Sequence, residues 1–162
     1  MVAKVELREI TDANREAVLA VSVAPRQNRF VGSVAGALED AVEWAHAKPW
    51  YRAVYAEGEP VGFVMLSWDV EPDPPAIHGP WFLWKLLIDE RDQGRGYGTA
   101  VVRLIADLVR REGATELLTS HVVADDGPGP FYARLGFVPT GDFDDNGEPI
   151  LSLDLEVDRP PR

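Results

Sequence analysis

The 162-residue sequence predicts one α/β (α+β) domain. Seven short segments show the period-two alternation or the continuous apolar run of β-strands, and the stretches between them repeat apolar residues at helical spacing. The chain has no cysteine, yet 46% of its residues are hydrophobic, so a packed core and not a disulfide framework has to hold it together. This length suits a single domain, expected over residues 1–157, with DRPPR at 158–162 read as a frayed tail.

Taken in order, VELREI alternates as a strand, and Thr11 is a good N-cap for a helix from Asp12 to about Ala20. VSVAPRQNRFVGS is irregular and broken by Pro25. Val34, Ala37, Leu38, Ala41, Val42 and Ala45 then share a helical face from Ser33 to Ala47, until KPW halts the pattern. YRAVYAEGEPVGFVMLSWDV reads as two strands around a tight turn at residues 57 to 60. The Pro-rich loop EPDPPAIHGP leads into WFLWKLLID, whose unbroken apolar run is that of a central strand buried on both faces.

After the glycines of QGRGYG, Val101, Val102, Ile105, Leu108 and Val109 form a helical stripe that ends at Arg110, Arg111 and Gly113. TELLTSHVV is a further strand, and PFYARLGF a short helix stopped at Gly136. FVPTGDF and PILSLDLEV close the domain as two strands around Asn146 and Gly147, with Leu151, Leu153, Leu155 and Val157 alternating against polar neighbours.

Composition narrows the function classes. No apolar segment approaches a membrane span, and MVAKVELREI alternates charges where a signal peptide has an apolar stretch, so a cytoplasmic protein without a membrane partner is expected. Lack of cysteine removes thiol nucleophiles and cysteine metal sites. His46, His78 and His121 are too dispersed to suggest a metal cluster, so no metal is expected. A formal net charge of −11 repels nucleic acid over most of the surface and favours a cationic small molecule.

QGRGYG, residues 93 to 98, joins a buried strand to a helix N-terminus. Bare backbone there exposes unpaired N–H groups beside the positive end of the helix dipole, which makes an anion site suited to phosphate. Side chains at Gly94, Gly96 or Gly98 would hold an anion away, and Arg91 and Arg95 are placed to add charge from the rim. A P-loop would need Gly-Lys-Ser/Thr, and a dinucleotide fold would need repeated βαβ units and a downstream acidic residue; both are missing.

Gln93-Gly94-Arg95-Gly96-Tyr97-Gly98 fits the pattern Gln/Arg-x-x-Gly-x-Gly/Ala, and Phe131, Tyr132, Gly136 and Phe137 fit aromatic-Tyr-x-x-x-Gly-Phe after the next strand. Together these motifs resemble the GNAT superfamily of N-acetyltransferases over nearly the whole chain. APRQNRFV, WFLWKLLID and GPGPFYARLGF are similar to its polyamine (spermidine/spermine) or diamine branch. The resemblance implies a mixed, mostly antiparallel sheet of about seven strands with helices on both faces, and acetyl-CoA as cosubstrate. The loop from Gln93 through Gly98 to Thr99 would hold the CoA pyrophosphate, and the backbone of Leu86, Leu87 and Ile88 would pair with the pantetheine amides. Family members splay this strand away from the next one, so that the thioester lies in the gap, where N–H groups face the developing negative charge.

An alkylamine with a lysine-like pKa of about 10.4 is neutral at pH 7 in only roughly one part in a thousand, so a proton must be removed before attack. The departing thiolate must in turn receive one, and the resemblance gives that role to Tyr132. Many relatives carry a glutamate as base two residues before the position of Leu86; here Trp84 stands there. Asp69, Glu71 and Asp73 are alternative acceptors of a proton or of a second ammonium group, and His78 is a further candidate. Relatives with Asn-x-x-Ala before the tyrosine helix contact CoA there, whereas this chain has Asp125 and Pro128. Gln27, Asn28 and Phe30 fall in a connection that borders the acceptor site in this fold.

The expected function is direct acetyl transfer to a primary amine of a small polycation in a ternary complex, because no cysteine is available to carry the acetyl group. The alternatives are a non-catalytic acyl-CoA-binding module, and an acetyltransferase of peptide N-termini, lysines or aminoglycosides. The expected partner is a small-molecule amine, with a homodimer as one admissible assembly.

Overall fold

In the computed structural model, which describes residues 3–156, Glu57 and Gly58 take positive φ values of 53° and 81° and turn the chain tightly between two long strands. β2 (Pro49–Ala56) and β3 (Glu59–Ser67) pair antiparallel across that turn. The short β1 (Glu6–Arg8) adds to β2, and β4 (Phe82–Ile88) adds antiparallel to β3. β5 (Glu116–Ser120), β6 (Val138–Phe143) and β7 (Pro149–Asp154) complete one seven-stranded sheet in the order β1-β2-β3-β4-β5-β7-β6. Only β4 and β5 are parallel neighbours.

Alternation along the strands divides the core in two. Val54, Val64, Leu66 and Leu83 face the stripe of α4 (Tyr97–Arg111), namely Val101, Val102, Ile105 and Val109. Tyr132 of α5 (Gly129–Arg134) joins the same cluster. Ala53, Tyr55, Phe63, Met65 and Leu87 face the other way, against Val18 of α1 (Arg15–Leu19) and Val34, Ala37 and Leu38 of α3 (Val34–Glu43). Helices thus cover both faces.

Several boundaries differ from expectation for local reasons. Thr11 does not cap α1. The Asn14 side chain accepts from the Thr11 N–H at 2.7 Å and closes a turn, and the helix starts one turn later than Asp12. Ser33, expected as the first residue of the next helix, caps α3 instead, its side chain accepting from the Gly36 N–H at 3.0 Å. That helix stops at Glu43, and a 3₁₀ turn over Ala45–Ala47 ends with Lys48 in the left-handed region just before Pro49. Within the irregular segment lie a 3₁₀ turn (Pro25–Gln27) and the single-turn α2 (Asn28–Val31). Of the closing strand's apolar positions, Leu151 and Leu155 are buried and Leu153 half-buried. Val157 and the tail 158–162 lie outside the described residues.

Candidate active site

β4 and β5 pair over just two positions, Phe82 with Leu118 and Leu83 with Thr119. The junction is reinforced by the Leu118 N–H donating to Trp81 O at 2.9 Å and by Thr119 Oγ1 donating to Leu83 O at 2.8 Å. Beyond it the strands part. Trp84 sits in a bulge, because Met65 opposes Lys85 while Leu66 opposes Leu83, and a bulge bends its strand. From Trp84 onward β4 remains paired to β3 and, among the described residues, has no strand on its other edge.

The parting opens a cleft of about 910 Å³. Its walls include Trp84, Leu86 and Ile88 of β4, the glycine loop, and Phe131 and Tyr132 of α5. This explains why the apolar run of β4 is not buried on both faces. Leu83 and Leu87 are buried, whereas Trp84, Lys85, Leu86 and Ile88 are half-buried along the cleft.

Gly94 and Gly96 both have positive φ, 79° and 82°, where a side chain is strained, and no atom lies within 4 Å of where a Gly94 Cβ would stand. Gly96 caps α4. The first helical bond runs from the Ala100 N–H to Gly96 O at 3.1 Å, which leaves the N–H groups of Tyr97, Gly98 and Thr99 without helical acceptors. All three residues line the cleft. The loop therefore offers open space, three N–H groups and a helix dipole, which fits the diphosphate of CoA.

Gln93 does not reach into this space with its amide. Nε2 donates to Ile88 O at 2.9 Å and to Gln27 Oε1 at 2.7 Å, tying the loop to the strand before it and to the connection between α1 and α3. Asp89, missed in the sequence reading, is 2% exposed beneath this loop. Burial pushes its carboxyl up, but the Arg91 guanidinium at 2.9 Å and the N–H groups of Arg91 and Ser22 outweigh it and hold the group below the usual carboxylate range. A charged residue ending an apolar strand was its only signal. Arg95 pairs with Asp92 at 3.5 Å and is mostly exposed.

Tyr132 is 8% exposed and packs edge-on against Phe131 and Phe137, with ring centroids 5.1 and 5.4 Å away. Burial raises its hydroxyl to about 12 against a weaker opposing effect of Thr119, so the group keeps its proton at neutral pH, the state a proton donor needs. Thr119 is the residue at which the two strands part, so the hydroxyl sits at the apex of the gap.

Of the candidate acceptor residues, Gln27, Phe30, Trp84 and His78 line the cleft. Asn28, Asp69, Glu71 and Asp73 do not, nor do Leu87 and Arg95. Asp69 turns the chain after β3 with φ 52°, its carbonyl accepting from Lys48 Nζ at 3.2 Å; Asp73 is held in a bridge to Ile77. The carboxylates on the cleft are instead Asp40, Asp92, Asp126, Asp144, Asp145 and Glu148, with Lys85 and Arg134 as the cations among the described residues. Lys85 is already paired with Asp40 at 3.6 Å. The last three acids arrive through the β6–β7 hairpin, a long-range placement that sequence spacing does not reveal.

Residues 33–137 match the family model described as the acetyltransferase (GNAT) family. The chain is 32% identical over 152 residues to a protein of Bacillus subtilis (strain 168) named spermine/spermidine N(1)-acetyltransferase, covering 93% of this chain and 99% of that one. Among solved structures it resembles the aminoglycoside acetyltransferase AAC(6′)-Ib in complex with coenzyme A, with a TM-score of 0.72 at 17% identity over 97% of this chain and 100% of that one. It likewise resembles the PaiA N-acetyltransferase of Thermoplasma acidophilum in complex with coenzyme A, with a TM-score of 0.61 at 14% identity, covering 93% and 99%.

Proposed function

The chain belongs to the acetyltransferase (GNAT) family, and from that premise we propose that it transfers the acetyl group of acetyl-CoA to a primary amine of a small polycation of the spermidine, spermine or diamine kind. The observation that carries the acceptor class is the charge of the cleft. Among the described residues six carboxylates line it against two cations, one of these cations already paired, so a ligand with several ammonium groups gains attraction where an anionic or neutral one does not. The name of the Bacillus subtilis relative points the same way.

In this reading the N–H groups of Tyr97, Gly98 and Thr99 bind the diphosphate, and the unpaired edge of β4 from Trp84 to Ile88 orients the pantetheine arm. Bound acetyl-CoA supplies an activated acyl group. Tyr132, buried and protonated at the apex of the gap, gives its proton to the departing sulfur. The acids of the β6–β7 hairpin hold the far ammonium groups and aim the near one at the gap.

An amine panel tests this. Spermidine, spermine, diamines, aminoglycosides, amino acids and peptides are incubated with acetyl-CoA while free thiol is measured. Spermidine or spermine is expected to give the highest kcat/KM. Turnover confined to peptides or neutral amines overturns the polyamine reading, and the absence of thiol release with every amine overturns catalysis.

A further inference from the structure

Resting on the N-acetyltransferase reading, we propose that His121 is the general base of the transfer. With Trp84 on the central strand where a carboxylate would serve, the proton of the acceptor ammonium needs another destination.

His121 directly follows β5. The pairs Phe82 with Leu118 and Leu83 with Thr119 close the sheet, so the next two residues of the chain, Ser120 at the end of β5 and His121 after it, border the open gap. His78, the other histidine on the cleft, packs at 6.1 Å from the ring of Phe82, at the paired end of the strands.

The orientation of the ring suits a base. Nδ1 lies 3.2 Å from Val122 O, and a carbonyl only accepts, so the neutral ring carries its hydrogen on Nδ1 and its lone pair on Nε2. The ring also has a prepared seat. A Cβ on Gly129 would stand 3.0 Å from His121 Cε1, so the bare first residue of α5 lets the imidazole lie against that helix. There its centroid is 6.5 Å from that of Tyr132, which brings proton acceptor and proton donor side by side.

Charged and titratable groups from several elements line the cleft that it shares. Lys85 is on β4, Asp126 in the β5–α5 connection, Tyr132 and Arg134 on α5, and Asp144 and Glu148 in the β6–β7 hairpin. Burial and then Asp144 push the Glu148 carboxyl up, against the opposing pull of His121 and Lys85.

The protons balance as follows. Nε2 of His121 takes one proton from the ammonium, the freed lone pair forms the N–C bond, and the C–S bond breaks with its electron pair on sulfur. Tyr132 protonates the sulfur. The second nitrogen proton, lost as the amide forms, returns through water to the tyrosine oxygen, and the imidazolium releases its proton to solvent.

The test compares the wild type, His121→Gln and His121→Asn from pH 6 to 9.5 at saturating acetyl-CoA, with thermal melting to verify folding and calorimetry to measure acetyl-CoA affinity. His121→Gln should lose about 10²-fold or more in kcat/KM at pH 7 with acetyl-CoA affinity unchanged, and the loss should shrink as rising pH frees the amine without help. Added imidazole should restore part of the rate. A folded His121→Gln within threefold of wild type throughout, or a loss independent of pH, overturns the proposal. Should His121→Gln not fold, His121→Asn is read by the same criteria. If the wild type uses another amine but not spermidine, the polyamine reading fails while the variant comparison on that amine still decides the role of His121. If it uses none, both fall.

Discussion

The side-chain amide of Gln93 donates to Gln27 Oε1 at 2.7 Å, and the same oxygen accepts from the Ala24 N–H at 3.1 Å. One hydrogen-bonded node thereby joins the glycine loop to the connection between α1 and α3. Gln93→Ala removes the donor to both Gln27 and Ile88 O at a half-buried site. It should cost about 1 kcal/mol of stability and raise KM for acetyl-CoA and for the amine together. Steady-state kinetics varying each substrate check this, and a rise confined to one KM would mean that the node does not link the two sides.

Gly96→Glu introduces both bulk and negative charge beside the N–H groups that open α4. Acetyl-CoA affinity measured by calorimetry should fall at least about tenfold, since burying like charge costs more than 1.4 kcal/mol. Gly113→Glu is the control. Gly113 also has positive φ, 96°, but ends the same helix far from the loop, so it should show a similar backbone strain and unchanged affinity.

Tyr132→Phe keeps the ring packing and removes the proton donor, so kcat should fall about 10²-fold at pH 7. The wild type has an additional signature in alkali. Its buried hydroxyl is raised to about 12, above the ordinary value near 10 of an unfolded chain. Stability is therefore complete below pH 10 and declines as pH rises toward 12, because only the unfolded state releases the proton there. Denaturant titrations from pH 9 to 12 should show this decline in the wild type and a shallower one in Tyr132→Phe.

Asp126→Asn with Asp145→Asn removes two charges from the cleft and should raise KM for spermidine about threefold to tenfold at low salt, with a smaller change in kcat. High salt should shrink the difference. The triple variant Asp69→Asn, Glu71→Gln, Asp73→Asn should leave that KM within about twofold, since those acids do not line the cleft.

Much of the fold was legible because local rules and tertiary packing agree here. The tight turn at Glu57 and Gly58, the Ser33 cap and the stripe of α4 are each written in a few adjacent residues. Misreadings arose where a distant or subtle partner decides. Thr11 carries the better cap chemistry, but its carbonyl takes the Asn14 and Arg15 N–H groups in a turn and the helix begins only at Arg15. The run WFLWKLLID reads as doubly buried, yet half of it borders the cleft, because apolar residues look alike whether they face a core or a ligand cavity. TELLTSHVV stops being a strand at Ser120, the last residue that β7 pairs, opposite Ile150 and one residue from Pro149, which has no N–H to give to the ladder. Tyr132 and the glycine loop were visible as contiguous motifs. The acids of the β6–β7 hairpin and the seat of His121 on Gly129 were not, because they depend on segments meeting in space.

The two-pair seam between β4 and β5 has a mechanical consequence. It divides the backbone ladder into a four-stranded and a three-stranded half, spliced by very few hydrogen bonds and by the shared packing of α4. In amide hydrogen exchange these halves should behave as separate cooperative units, with the half that ends in the fully exposed β6 opening at lower free energy. A molecule lodged in the gap would give the free edge of β4 the partner it lacks. Exchange on both sides of the seam should then slow together, the bound cosubstrate serving in effect as the sheet's missing rung.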